Sequence, residues 1–330
     1  MKLNYLIKRF REMDKKAMFK TAGSIHMKTG KPRVWLLADM VKCGAKYGAG
    51  YMDYDLFEMY NLTPKQRDTY ITRGRNNDIV KKYNDPNYNH CFLNKSEFNS
   101  AFSDYIKRDW IVVSGTPKEE LFGFMSRHPV FMAKPTGGKC GYGIEKLNTG
   151  DFPSLQAVYE YLTRPCADYE LEELIIQHPS VAAIYPGSIN TVRIVTILKD
   201  DIAHIICAYF RIGNGRFVDN FNSGGMVAPV DEITGVVKDR AIDKNKALYD
   251  VHPQTGTPIK GFQFPFWQDA LELCKSAAHV IPQIGYVGWD VCFTPDGPCF
   301  VEGNEYPGYN IYQLPEHTPD KIGMMEKFRV

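Results

Sequence analysis

Three oxygen-bearing side chains near the C-terminus, Asp290, Glu302 and Asn304, have the types and spacing to hold a hard metal ion. They lie in two apolar, β-prone runs, 286–293 and 299–308, separated by Thr294-Pro295-Asp296-Gly297-Pro298, the signal for a β-hairpin. A tight turn on Asp296-Gly297 would make Pro295 and Pro298 a ladder pair, and neither can donate to a ladder. The spacing therefore predicts the longer loop 294–298. That register sets Asp290 opposite Glu302, Cβ atoms roughly 4.5 to 5.5 Å apart, and alternation puts Asn304 on the face of Glu302. Two facing carboxylates among Val, Phe and Cys repel each other unless a cation lies between them. Two carboxylates and an amide oxygen suit Mg²⁺. Gly303 and Gly308 would leave room for a ligand close to the backbone. The plainer alternative is an exposed hairpin whose acids face water.

Four further stretches could handle an anion or a nucleotide. A strand over 129–135 carries Lys134 and runs into Gly137, Gly138, Gly141 and Gly143, a loop whose amides can approach phosphate oxygens. It is neither a Walker A loop nor a Gly-x-Gly-x-x-Gly turn, and alone it reads equally as a structural turn. A strand over 169–177 sets Glu172 and Glu173 beside Ile175 and Ile176, and its backbone could bond an adenine edge; a plain strand is an equal reading. Two β-rich runs, 190–199 and 202–212, join at Asp200-Asp201 and carry Arg193 and Arg211 among Val, Ile and Ala. A buried arginine needs an anionic partner, and its fork suits phosphate. Finally, Asn220, Ser223, Gly224 and Gly225 cluster amides and small polar groups in one turn.

The elements that position these residues change character along the chain. Residues 1–88 read as mainly helical. Leu3, Leu6, Ile7 and Phe10 recur at helical spacing, a second helix covers 34–47, and a third starts at Thr63, with Pro64 at its first position, Gln66 closing a capping box and Gly74 past its end. From Asn94 helices and strands alternate. Asn94 and Glu97 form a capping box that places Lys95 in a first turn, a strand follows at 110–113, and Thr116-Pro117-Lys118-Glu119 repeats the cap signature. Ser154 caps a helix to Leu162, and 266–280 has helical spacing before the metal-type hairpin.

At 330 residues and 44% hydrophobic content the chain can build two or three packed subdomains. No apolar run approaches the roughly 20 residues that span a bilayer, and no secretory signal opens the sequence, so a cytoplasmic protein is expected. The eight cysteines show no metal-finger or Cys-x-x-Cys spacing and read as reduced core residues. A Cys140 nucleophile is the weaker reading of a residue that a phosphate loop already explains, and the histidines lack zinc-hydrolase spacing. Net charge is +2, yet residues 1–48 hold twelve Lys/Arg against three acids. Such a basic start could touch an anionic membrane surface weakly or a polyanionic substrate, while a solvated helix is the commoner reason for it. No recognition motif points to nucleic acid.

Lys95, the strand bearing Lys134, the glycine loop, the acidic hinge, the arginine hairpin and the closing Asp290…Glu302-Gly303-Asn304 resemble, in this order, the ATP-grasp superfamily. Thr191-Val192-Arg193, Tyr209-Phe210-Arg211, Asn220 and Gly224-Gly225 look like the layout of ribosomal-protein glutamate ligases. With Gln177-His178-Pro179, Asn190, His252-Pro253, Thr255-Gly256 and Pro307-Gly308 added, the pattern over about 90–315 is similar to the sugar-transfer associated ATP-grasp group. The resemblance implies an α/β (α+β) fold. Two subdomains, 89–176 and 177–330, grip ATP behind the helical domain 1–88. Lys95 and Lys134 would hold the α- and β-phosphates, and Gly137 to Gly143 would close over the triphosphate. Glu172 or Glu173 with Ile175 or Ile176 would frame adenine, and Asp290, Glu302 and Asn304 would bind two Mg²⁺ ions, Mn²⁺ substituting. Arg193 and Arg211 would act on the migrating phosphoryl group. The glutamate ligases carry Asp where this chain has Thr191, so Asn190 or His178 would serve the ribose.

The function this implies is an ATP-dependent carboxylate–amine ligase working through an acylphosphate, its acid a sugar acid or polysaccharide precursor and its acceptor an amino acid or amine. Asn220, Ser223, Gly224, Gly225 and Tyr309 would line the acceptor pocket. The alternatives are a kinase acting on a sugar or polyol hydroxyl and a nucleotide-binding module without catalysis.

Overall fold

The computed structural model describes residues 14–136, 143–165, 168–215, 219 and 221–330. The expected first helix, Gly137, Gly138, Cys140, Gly141 and Asn220 lie outside the described residues. The chain forms two compact units, Met1–Lys82 with Gly308–Val330, and Tyr83–Pro307. The tail from Gly308 thus belongs with the first unit, where the sequence had assigned it to the subdomain 177–330.

The first unit is helical. Helix α1 (Lys15–Thr29) is capped by the Asp14 carboxylate, which accepts from Ala17 N–H, and ends at Gly30. Helix α2 (Arg33–Tyr47) ends at Gly48, and α3 (Arg73–Tyr83) follows short helices at Tyr51–Leu56 and Pro64–Asp68. Thr63 and Gln66 form the expected capping box, but that helix stops after one turn and Gly74 sits inside α3 rather than past a helix end. Ile25, Leu36, Cys43, Tyr54, Phe57 and Tyr70 fill the core. Each such apolar side chain contributes about 1.5 to 3 kcal/mol by leaving water. Within this core Arg67 holds Asp39 by two hydrogen bonds of 2.8 and 2.7 Å, and Gln313 bonds the N–H and C=O of Ile71 at 3.0 and 2.5 Å, tying in the tail.

The second unit is built on two antiparallel sheets. Helices α4 (His90–Leu93) and α5 (Lys95–Ala101) come first, with Asn94 capping α5 as expected. Strands β1 (Trp110–Val112), β2 (Val130–Pro135), β3 (Glu145–Asn148) and β4 (Tyr169–Glu173) form a sheet of order β1-β4-β2-β3. Helices α6 (Lys118–Arg127) and α7 (Leu155–Leu162) belong to its core, with Leu121 and Phe124 on α6, Val158 and Leu162 on α7, and Phe131 and Leu171 from the sheet. Strand β4 ends at Glu173, so Ile175 and Ile176 lie in irregular chain rather than in the longer strand the pattern suggests.

The larger sheet has the order β11-β10-β5-β6-β7-β8-β9, with β5 (Thr191–Lys199), β6 (Ile202–Ile212), β7 (Met226–Val230), β8 (Ala241–Asp243), β9 (Leu248–Tyr249), β10 (Tyr286–Thr294) and β11 (Gly297–Asn304). Helix α8 (Trp267–Ala277) packs on it. Asp200 and Asp201 both have positive φ, 50° and 60°, the turn that matches the twist of a two-residue hairpin. Strands β7 to β9 carry no clear alternation and went unseen in the sequence.

The β10–β11 hairpin corrects one expectation and keeps its consequence. Thr294 pairs with Gly297, so the turn is Pro295-Asp296 and not 294–298. Pro298 is tolerated in the ladder because β11 is an edge strand: the Pro298 carbonyl faces outward to the Lys107 ammonium at 3.1 Å, so its missing N–H would also have faced outward. A bulge at Val301 then shifts the register by one, and Asp290 pairs with Glu302 after all.

Candidate functional site

Two clusters of buried charge lie in the second unit, one on each sheet. On the larger sheet Asp290 (2% exposed) neighbours Arg193 on β5. Arg193 donates Nε–H to Asp290 Oδ1 at 2.5 Å and its terminal N–H to Oδ2 at 2.9 Å, and Arg211 donates to the same Oδ2. Arg211 also reaches Asp219 at 3.1 Å. Asp219 is fixed by the N–H of Thr191 at 3.1 Å and by its hydroxyl. Burial would raise the Asp290 carboxyl, but the two guanidinium groups outweigh it and hold it well below the usual range. Gly288 makes this geometry possible: a Cβ there would sit 2.9 Å from Arg193 Cδ.

Glu302 faces Asp290 from β11 and is an exposed residue. Desolvation by the surrounding protein and the Asp290 charge push its carboxyl up to about 7. Asn304 donates weakly to Glu302 Oε1 and Gly288 O, both at 3.4 Å, leaving its amide oxygen among its own hydrogen bonds unengaged. The three oxygen donors therefore share a site as expected. The fit to a divalent cation rests on geometry: Glu302 faces Asp290 across the hairpin with Asn304 beside it, while both Asp290 oxygens already accept from Arg193 and Arg211. Gly303 has a different task from the one its sequence suggested. A Cβ there would lie 2.7 Å from Phe98 and 3.0 Å from Phe92, so the absent side chain makes room for the α4–α5 rings and not for a ligand.

On the smaller sheet Glu172 (3% exposed) is held by Lys134 at 2.6 Å and by Arg108 at 2.6 Å. Burial acts to raise the Glu172 carboxyl, and these two cations more than reverse it. Arg108 reaches on to the carbonyls of Phe300 at 2.5 Å and Val301 at 3.2 Å, so one guanidinium ties β4 to the bulge of β11. Glu170, two residues back, accepts from Asn99 at 2.9 Å, while its second oxygen is buried without a hydrogen-bond partner. Burial and Glu172 hold it above the carboxylate range. Lys95 donates to the Pro135 carbonyl at 2.6 Å; burial and Lys134 lower it, with Glu170, Glu172 and Glu302 opposing.

Of the adjacent hinge acids, Glu172 is the one turned to Lys134. Glu173 points away, accepting from Asp109 N–H at 3.0 Å. Ile175 is half-buried and Ile176 is 73% exposed. Asn190 departs from its expected ribose role: it is fully buried, bonding Gln177 Oε1 and the Tyr185 carbonyl while accepting from Gly213 N–H, which braces the start of β5. His178 caps the short helix Pro179–Ala182 and bonds Ser180. Gly143 has φ 77°, and Ser223, Gly224 and Gly225 lead into β7, which pairs with the strand of Arg211. Tyr309 lies in the first unit, its hydroxyl donating to Asp53 at 2.7 Å. Arg108, Asp219 and Glu170 were missed. Each sits beside a residue that the sequence had singled out, but none carries a motif of its own.

Residues 165–319 match the family described as sugar-transfer associated ATP-grasp. No curated protein matches the sequence. Similar solved structures include the ATP-grasp ligase PsnB complexed with minimal precursor, Mg and ADP, at 16% identity over 75% of this chain and 62% of that one, TM-score 0.43. Others are the ADP complex of purK, N5-carboxyaminoimidazole ribonucleotide synthetase (14%, 66% and 46%, 0.42), and D-alanyl-alanine synthetase A from Vibrio cholerae (12%, 72% and 63%, 0.42). The chain thus spans less than two thirds of the length of these structures. Likenesses this shallow carry nothing about substrate or reaction. The family match, by contrast, covers Glu172, both arginines and the entire β10–β11 hairpin.

Proposed function

We propose that the chain is an ATP-dependent carboxylate–amine ligase that activates its acid as an acylphosphate, the acid being a sugar acid or polysaccharide precursor and the acceptor an amino acid or amine. The observation that carries this reading is the pairing, in one unit, of a cluster poised for a cation with a cluster rich in cations. A carboxylate is a poor electrophile. Attack of its oxygen on the γ-phosphorus of ATP gives ADP and an acylphosphate, from which an amine displaces phosphate to form the C–N bond.

Lys95 and Lys134 meet nucleotide phosphates by exchanging the Pro135 carbonyl and Glu172 for phosphate oxygens. Glu172 with Ile175 or Ile176 frames the adenine. Arg193 and Arg211, preorganised by Asp290 and Asp219, offer N–H donors where charge develops on the transferring phosphoryl group. Asp290, Glu302 and Asn304 would hold Mg²⁺, or Mn²⁺ in its place, which when bound neutralises phosphoryl oxygens. The loop ending at Gly143 excludes water that would hydrolyse the acylphosphate.

The test measures ADP release over a panel of sugar acids and other carboxylates, each with and without amines. The expected result is full turnover only with both partners, together with an amide product. Turnover with a single hydroxyl-bearing acceptor and a phosphoester product would overturn the ligase reading in favour of a kinase.

A further inference from the structure

The first unit carries a surface that the nucleotide chemistry does not use. Helix α1 buries Met18, Ala22 and Ile25, and α2 buries Leu36, Met40, Cys43 and Tyr47. At 3.6 residues per turn, Met27 falls on the side of α1 opposite its buried stripe, and Val34 and Val41, seven residues apart, fall opposite that of α2. All three are exposed, at 78%, 81% and 48%, and Phe19 and Trp35 are also open to solvent. A surface helix ordinarily keeps this face polar.

The charge around these side chains is one-sided. Residues 15–48 contain eight Lys/Arg and a single acid, Asp39. That acid is half-buried and already held by Arg67. Lys31 lies over the Trp35 ring, 5.3 Å from its centre. Exposed apolar side chains on two helices whose charge is almost all basic match a surface that is anionic outside and apolar beneath. Two copies of this face would set like charges against each other, which disfavours self-association through it.

We propose that the outer face of α1 and α2 docks on an anionic lipid bilayer, with Met27, Val34, Trp35 and Val41 entering the headgroup region and the lysines meeting lipid phosphates. Basic residues near such a surface add an attraction screened by salt, and the apolar side chains add their burial. The docking is independent of any nucleotide reading of the second unit.

The test sediments the full-length protein with vesicles of phosphatidylcholine alone or with about one third phosphatidylglycerol, at low and high salt. Binding only to the anionic vesicles, weakened by salt, is the expected result. The double variant Val34→Asp, Val41→Asp, checked by its melt, should lose partitioning by about tenfold or more. A wild type that stays in the supernatant with anionic vesicles overturns the proposal, as does a folded double variant that sediments like the wild type. So does lipid-free self-association that the double variant abolishes, because the face would then belong to a second copy.

Discussion

The two buried charge clusters of the second unit are built to opposite sums. On the larger sheet three acids, Asp290, Asp219 and Glu302, surround Arg193 and Arg211. On the smaller sheet three bases, Lys95, Lys134 and Arg108, surround Glu170 and Glu172. The first relieves its imbalance by pushing the Glu302 carboxyl toward neutrality, and the second by lowering the Lys95 ammonium, through burial and the neighbouring Lys134. The surplus signs teach what each side lacks: the first is short of a cation and the second of an anion, as a metal–polyphosphate ligand would supply to both at once.

The largest test of that contrast removes the shared acid. Asp290→Asn leaves two buried guanidinium groups facing one another, so chemical denaturation should show a loss of about 3 to 5 kcal/mol, and ATP turnover should fall at least about a hundredfold. Unchanged stability and turnover would break the comparison. The bonds from both arginines make this a loss of stability as well as of turnover.

On the base-rich side, Arg108→Met leaves Glu172 with Lys134 alone and strands two carbonyls of β11. The expected cost is about 2 to 3 kcal/mol, with the KM for ATP raised about tenfold while kcat changes less. A kcat loss without a KM change would assign Arg108 to the chemical step instead. The third test is the smallest and uses pH. Because Glu302 is raised to about 7, its carboxylate is mostly formed at pH 8 and mostly protonated at pH 6, and Mg²⁺ must compete with that proton. The half-saturating Mg²⁺ concentration should therefore rise by about tenfold from pH 8 to pH 6 in wild type. In Glu302→Gln the half-saturating Mg²⁺ concentration should be raised at both pH values and lose this slope; a retained slope would place the titrating group elsewhere.

Local signals in the sequence were read well because their causes are local. The Asn94 cap, the Ser154 cap and the Asp200-Asp201 turn depend on a few neighbouring residues, and all are present. Long-range partners were not legible. Glu172 finds Arg108 from 64 residues away, and no spacing announces it. Asn190 was read as a ribose contact because Thr191 stands where the glutamate ligases carry Asp, whereas the fold spends its whole amide on backbone and Gln177. Gly303 was read as space for a ligand when the space belongs to two phenylalanine rings. The Asp290–Glu302 pairing was right, though by a route that the molecule does not take.

That route has a consequence for how the hairpin can change. The surplus residue Val301 works as a slip joint: the half of the strand pair nearest the turn keeps one tally of partners and the half bearing the carboxylates keeps another. A residue gained or lost near Pro295-Asp296 can be absorbed by moving or erasing the joint, so the tip is free to drift while the distance between the two acids is conserved.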